Sequence, residues 1–131
     1  MSKATGSFEV LDGADDPIAE LEGGLTVTHA SGAQRFSGDI EGDRSIDWLM
    51  LYRGDKTAHF VGLQRISGSV AGRRGSFVLA AEGDHDGSAS HITWTVVADS
   101  GTGELAGIRG SGEMVAPGKT GTYSLDYEIG A

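Results

Sequence analysis

Four side chains in this sequence pair a proton-transferring or hydrogen-bonding group with a position in an otherwise apolar pattern: His29, Tyr52, Gln64 and Tyr123. An imidazole titrates near neutrality without a large shift, so His29 is the natural acid or base. The phenols of Tyr52 and Tyr123 would polarise a carbonyl or enolate oxygen by donating a hydrogen bond, and the Gln64 amide would orient it. Moving protons beside a polarised carbonyl is the chemistry of isomerisation and ring closure. Bulky apolar side chains accompany these groups: Phe36, Trp48, Met50, Phe60, Phe77, Trp94, Met114 and Tyr127. Such walls would bind a small hydrophobic molecule and restrict its conformers.

Sharper chemistries lack support. Gly101-Thr102-Gly103-Glu104-Leu105-Ala106 fits a Gly-x-Gly-x-x-Ala dinucleotide fingerprint, but no βαβ pattern surrounds it and Glu104 would face the pyrophosphate. No serine has glycines two positions to either side, so the nucleophile-elbow pattern is missing. His29, His59, His85 and His91 are too dispersed for a zinc spacing, and Asp84-His85-Asp86-Gly87 reads as a polar hairpin tip. Asp12, Asp15 and Asp16 lack the bidentate glutamate of a calcium loop. Neither a metal nor a cofactor is expected.

The elements that must position these residues are short strands. Twenty-two glycines in 131 residues punctuate the chain, and Phe36-Ser37-Gly38-Asp39-Ile40-Glu41-Gly42 is echoed by Ile66-Ser67-Gly68-Ser69-Val70-Ala71-Gly72. Glycine is penalised inside helices and tolerated where φ is positive, so the cadence signals frequent turns. Tyr123, Leu125, Tyr127 and Ile129 alternate with Ser124, Asp126 and Glu128, the period of a half-buried strand. The same alternation groups Phe8 with Val10, Leu25 with Val27 and His29, and Phe36 with Gly38 and Ile40, as three strands. Segment 46 to 53 is apolar on both faces, with Leu49 and Leu51 opposite Ile46, Trp48, Met50 and Tyr52, as if one side met a subunit or helix. Residues 58 to 66, 76 to 82, 90 to 98 and 112 to 115 extend the series to about eight strands. At that number a closed barrel holds side chains or one small ligand and has no exposed edges.

If Tyr123 and Tyr127 point inward, strand parity sends Phe8, Val27, Phe36, Trp48, Met50, Phe60, Phe77, Trp94 and Met114 inward with them, and His29, Tyr52 and Gln64 as the few polar members. Helix is scarce. Asp16-Pro17-Ile18-Ala19-Glu20-Leu21 reads equally as a capped helical turn or an extended approach to the second strand, and Gly103 to Gly107 makes at most one turn.

Length and composition fit one domain over residues 1–131, with no linker between halves. The formal charge of −9 repels nucleic acid and acidic membrane surfaces. Arg73-Arg74, the adjacent basic pair, reads as part of a hairpin turn. The absence of cysteine removes disulfides and thiol nucleophiles and suits a reducing, cytoplasmic compartment. The amino-terminal residues carry no signal-like apolar core, and Trp48 to Tyr52, the longest apolar run, is too short to span a bilayer.

Ser100-Gly101-Thr102-Gly103-Glu104-Leu105-Ala106-Gly107-Ile108-Arg109-Gly110 resembles the glycine-rich turn of dirigent proteins, and allene oxide cyclases have a similar one. With Phe36 to Gly42, Phe60-Val61-Gly62-Leu63-Gln64-Arg65 and Gly72-Arg73-Arg74-Gly75-Ser76-Phe77, nearly the whole chain resembles an uncharacterised bacterial family, a domain of unknown function with an allene-oxide-cyclase-like barrel. The resemblance implies an all-β, calycin-like, eight-stranded antiparallel barrel that associates as dimers or trimers. Relatives with that fold act on hydrophobic small molecules by conformational control. This chain has Gln64 where the family's Gly-Leu-Glu-Arg would place a lumen carboxylate, which puts a general base there in doubt.

Three functions follow from this reading. The first is a cyclase or isomerase of a polyketide- or lipid-like substrate. The second is a barrel that binds such a molecule without chemistry. The third is a scaffold with a dry, packed centre whose functional surface is the outer face of Leu49, Leu51, Val61 and Leu63.

Overall fold

In a computed structural model that describes residues 2–130, the alternating pattern closes on itself. Eight strands run β1 Ser2–Leu21, β2 Leu25–Gly38, β3 Ile40–Tyr52, β4 Ala58–Val70, β5 Arg73–His85, β6 Ser90–Val96, β7 Ile108–Ala116 and β8 Thr120–Ile129, with one short 3₁₀ turn at Gly103–Leu105. Each pairs antiparallel with its chain neighbour, and β1 pairs with β8 from Ser2↔Tyr127 to Glu9↔Thr120, giving a closed barrel. No helix among the described residues is long and apolar enough to cross a membrane.

The hairpins alternate between two ends. Asp39, Ala71-Gly72 and the 97–107 connection lie at the end that also holds the start of β1 and the end of β8, here called the base; 22–24, 53–57, 86–89 and 117–119 lie at the other, the mouth. The echoed glycine motifs are the β2–β3 and β4–β5 turns at the base. Ala71 (φ 49°) and Gly72 (φ 86°) form a two-residue turn with both φ values positive, which matches the right-handed twist of the strands it joins. Arg73-Arg74 opens β5 directly after it.

Two expectations need correction. The stretches around 25–29 and 36–40 are not separate strands: β2 runs unbroken from Leu25 to Gly38, and Ile40 already begins β3. The small and polar residues Ala30 to Arg35 mimic a turn but stay paired with both β1 and β3. Phe36 and His29 are seven positions apart on one strand and therefore face opposite sides. The second correction is to Asp16–Leu21, which is extended rather than helical. It belongs to a hairpin with β2 that continues past the point where β8 ends, with irregular register between Val10/Asp12 and Pro17/Ala19. Pro17 fits there because the outer edge of β1 lacks a partner strand beyond Glu9, so its missing N–H leaves no ladder bond unmade.

The base is sealed. Phe36 stacks on Tyr123 at 4.8 Å and packs against Phe8 and Trp94 at 5.7 and 5.8 Å. The Tyr123 hydroxyl donates to the Ser37 carbonyl at 2.8 Å and accepts the Ile40 N–H at 2.9 Å, tying the β2–β3 turn to β8. The Gly101–Gly103 turn lies across β5, where Thr102 N–H donates to the Ser76 carbonyl at 2.9 Å, and buried Leu105 closes the opening. Gly75 permits this approach, because a Cβ there would lie 2.0 Å from the Thr102 carbonyl oxygen.

Tyr123→Phe keeps the stack but strands the Ile40 N–H and Ser37 carbonyl. Equilibrium denaturation should register a loss of about 1–3 kcal/mol; no loss would mean the hydroxyl does not fasten the base.

Candidate functional site

Above the aromatic base the lumen opens into a cavity of about 210 Å³ lined by Phe8, Val10, Ala30, Gln34, Arg44, Trp48, Met50, Phe60, Ser90, Ile92, Ala116 and Gly118. Ser90, Ala116 and Gly118 come from the strand ends and turn at the mouth, so the cavity faces that end. Its walls are apolar, with Trp48 set edge-on to Phe60 at 4.8 Å. The strand ladder brings these residues together: Ala30 lies opposite Trp48, Met50 opposite Phe60, and Gln34 opposite Arg44.

The floor is polar. Arg44 is 2% exposed, and its guanidinium lies 4.8 Å from the Phe36 ring centre and 5.4 Å from that of Phe8. Its Nη1 donates to Gln64 Oε1 and lies 3.1 Å from Met114 Sδ. Burial alone pushes the guanidinium down from 12.5 to about 9, with no neighbouring carboxylate among the described residues to hold it up. The group still carries its charge at neutral pH. Arg44 Nε, Gln34 Oε1 and Gln64 Nε2 are buried without a hydrogen-bond partner among the described residues. Buried polar atoms are nearly always partnered, so three orphans around one guanidinium stand out.

The residues singled out from the sequence fall into four environments. Trp48, Met50 and Phe60 line the cavity. Gln64 is fully buried beneath it and holds Arg44, while Met114 underlies the same guanidinium. Phe36, Trp94 and Tyr123 form the packed base, with Phe77 and Tyr127 buried in the same core. Tyr52 sits at the mouth and donates to Asp15 Oδ2 at 2.7 Å.

His29, expected in the lumen, is on the outer face. It lies opposite Leu49, which is 51% exposed, and its Nε2 is 3.1 Å from Asp47 Oδ1. The reason is the unbroken β2 phase, which sends Thr28, Ala30, Gln34 and Phe36 inward instead. Val27, out of phase in the same way, pairs with Leu51 away from the lumen. The four candidate catalytic groups therefore do not converge.

The dispersed histidines also lie among polar partners. His59 bridges Asp84 and Glu82 at 3.0 and 3.1 Å, His91 meets Asp86 at 3.2 Å, and His85 meets Ser90 at 3.0 Å. No group of three or more metal-ligating residues occurs among the described residues.

Sequence reasoning missed Arg44 and Gln34. Their signal was phase: Arg44 shares the parity of Ile46, Trp48 and Met50, and Gln34 that of Phe36. Charge and amide character argued for solvent and hid it.

Residues 4–127 match the family described as "Protein of unknown function (DUF3224)". A crystal structure of a protein of unknown function from the same family, from Shewanella oneidensis MR-1, superposes with a TM-score of 0.81 at 26% identity, covering 100% of this chain and 98% of that one. No curated protein matches.

Burial first, then the bond to Asp15 and its charge, push the Tyr52 phenol up to about 12. Because this lies above the ordinary 10, the contact contributes stability that is complete below pH 10 and fades as pH rises toward 12. Tyr52 is half exposed, so the contribution is below about 1 kcal/mol. Ultraviolet titration should find one phenol ionising near pH 12, and Asp15→Asn should lower that midpoint; an unchanged midpoint would deny the contact.

Proposed function

Since the chain belongs to the DUF3224 family, whose description assigns no activity, we propose from the lumen itself that this barrel binds a compact hydrophobic molecule without transforming it. The observation that carries this reading is the apolar cavity of about 210 Å³ open toward the mouth. A cavity of 150 Å³ accommodates benzene, so this one suits a ligand of roughly eight non-hydrogen atoms, or one end of a longer lipid- or polyketide-like chain. Trp48, Met50 and Phe60 would be its walls, and Phe36, Phe77, Trp94, Met114 and Tyr127 the packing that keeps them rigid.

Binding is favoured over cyclase or isomerase chemistry by the surroundings of the candidate acids and bases. His29 faces away from the lumen beside Asp47, the Tyr123 hydroxyl is engaged with backbone, and Gln64 is engaged with Arg44. Tyr52 is the one of the four that stands near the mouth.

The expected homo-oligomer enters the same reading. Leu49, Val61 and Leu63 are exposed together on the outer face of β3 and β4, beside Asp47 and Arg65, which pair at 3.4 Å. On a chain of net charge −9 such a locally neutral apolar patch suits a second copy of itself. Light scattering should find a dimer or trimer that Leu49→Lys with Leu63→Lys converts to monomer; a monomeric parent would remove this part of the proposal.

The lumen reading is tested by titrating the protein with toluene and following side-chain NMR signals. Shifts should centre on Trp48, Met50, Phe60 and Ala30. Ala30→Leu, which fills the cavity, should weaken toluene binding at least tenfold while stability holds or rises, and His29→Ala should leave affinity within twofold. No saturable shift, or shifts confined to the outer face, would overturn it.

A further inference from the structure

The cavity floor carries more information than its walls. A guanidinium taken out of water without a counter-charge is strongly unfavourable, and stacking on two phenyl rings returns only part of that cost. Arg44 has Gln64 Oε1 and Met114 Sδ as its neighbours on Nη1, both uncharged, and its Nε–H is orphaned. Arg44 also lines the cavity, beside its cross-strand neighbour Gln34, whose amide oxygen is orphaned as well. A neutral hydrocarbon ligand would leave each of these groups unsatisfied.

An anion would satisfy the guanidinium, whose orphaned Nε–H needs an acceptor. One guanidinium neutralises one negative charge, and a second buried charge would have nothing to meet it, so the ligand is a monoanion. Apolar walls of Trp48, Phe60, Met50 and Ile92 on the remaining sides call for a hydrocarbon body. A planar carboxylate matches the guanidinium edge, and the Gln34 amide completes the set by turning its NH₂ toward the carboxylate.

Resting on the lumen-binding reading, we propose that the site is selective for a compact monocarboxylic acid, its carboxylate on Arg44 and Gln34 at the floor and its hydrocarbon part against Trp48 and Phe60 toward the mouth. Gln64 acts through Arg44, fixing the guanidinium from the side away from the cavity. The chain's charge of −9 slows the arrival of such a ligand, but it acts from outside the lumen and does not change what the floor selects.

The test is calorimetric titration of the intact protein at pH 7 with two isosteric pairs, benzoate against benzamide and hexanoate against hexanamide. Each acid should bind at least tenfold more tightly than its amide. Arg44→Met should abolish that preference while keeping or improving affinity for toluene, and Gln34→Leu should reduce it. Equal affinities within the pairs, or a preference that survives Arg44→Met, would overturn the proposal, as would chloride or phosphate binding as tightly as benzoate. The wild-type ratios decide the matter if the Arg44 variant does not fold. Toluene and amides binding as well as the acids would remove the anion selectivity and leave the lumen reading standing; no binding of any probe would remove both.

Discussion

A cation held inside an apolar cylinder with no carboxylate beside it sets the terms for the rest of this structure. The guanidinium of Arg44 keeps its charge at neutral pH, and four contacts make that tolerable: the ring faces of Phe8 and Phe36, the Gln64 amide oxygen and the Met114 sulfur. None of these cancels the charge. Cation–π contacts and a single amide hydrogen bond are each worth a small fraction of the desolvation of a buried ion. Arg44 also lines the cavity that opens toward the mouth.

This arrangement divides the barrel into two halves with different physical tasks. Below Arg44 the lumen is packed solid by Phe36, Tyr123 and Trp94, and it is sealed by the Tyr123 hydroxyl and by Leu105. The Phe36 ring, stacked on Tyr123, is the face on which the guanidinium rests. Above Arg44 the small residues Ala30, Ala116 and Gly118 leave space that larger side chains would fill. The long β1–β2 hairpin, joined to β3 by the Tyr52–Asp15 bond, extends one wall past the mouth. The small residues above and the aromatic packing below thus leave one polar surface, that of Arg44 and Gln34, at the bottom of the cavity.

The all-β class, the closed antiparallel barrel and the turn character of the glycine motifs were legible because each rests on local rules: period-two alternation, and glycine where φ is positive. What was not legible depended on continuity. Ala30-Ser31-Gly32-Ala33 carries no strong strand signal, so the alternation of Leu25, Val27 and His29 reads as a strand of its own, unlinked to the phase of Phe36. The pairing of this stretch with strands on both sides overrides its weak propensity, and only tertiary context supplies that. Arg44 and Gln34 were hidden differently. Their phase was readable from Trp48 and Phe36, but residue type argued for solvent more strongly than phase argued for the core.

That conflict is itself informative. Local preference, burial and electrostatics agree along most strands here, as they do in sequences that fold to one state. They disagree at Arg44, where a charged side chain is almost wholly buried. Burying an uncompensated charge is costly, and removing the guanidinium alone would strand the buried Gln64 Oε1 that it holds. Disagreements of this kind between residue type and burial are expected at functional or strained positions, and in this molecule the disagreement coincides with the floor of the cavity that opens toward the mouth.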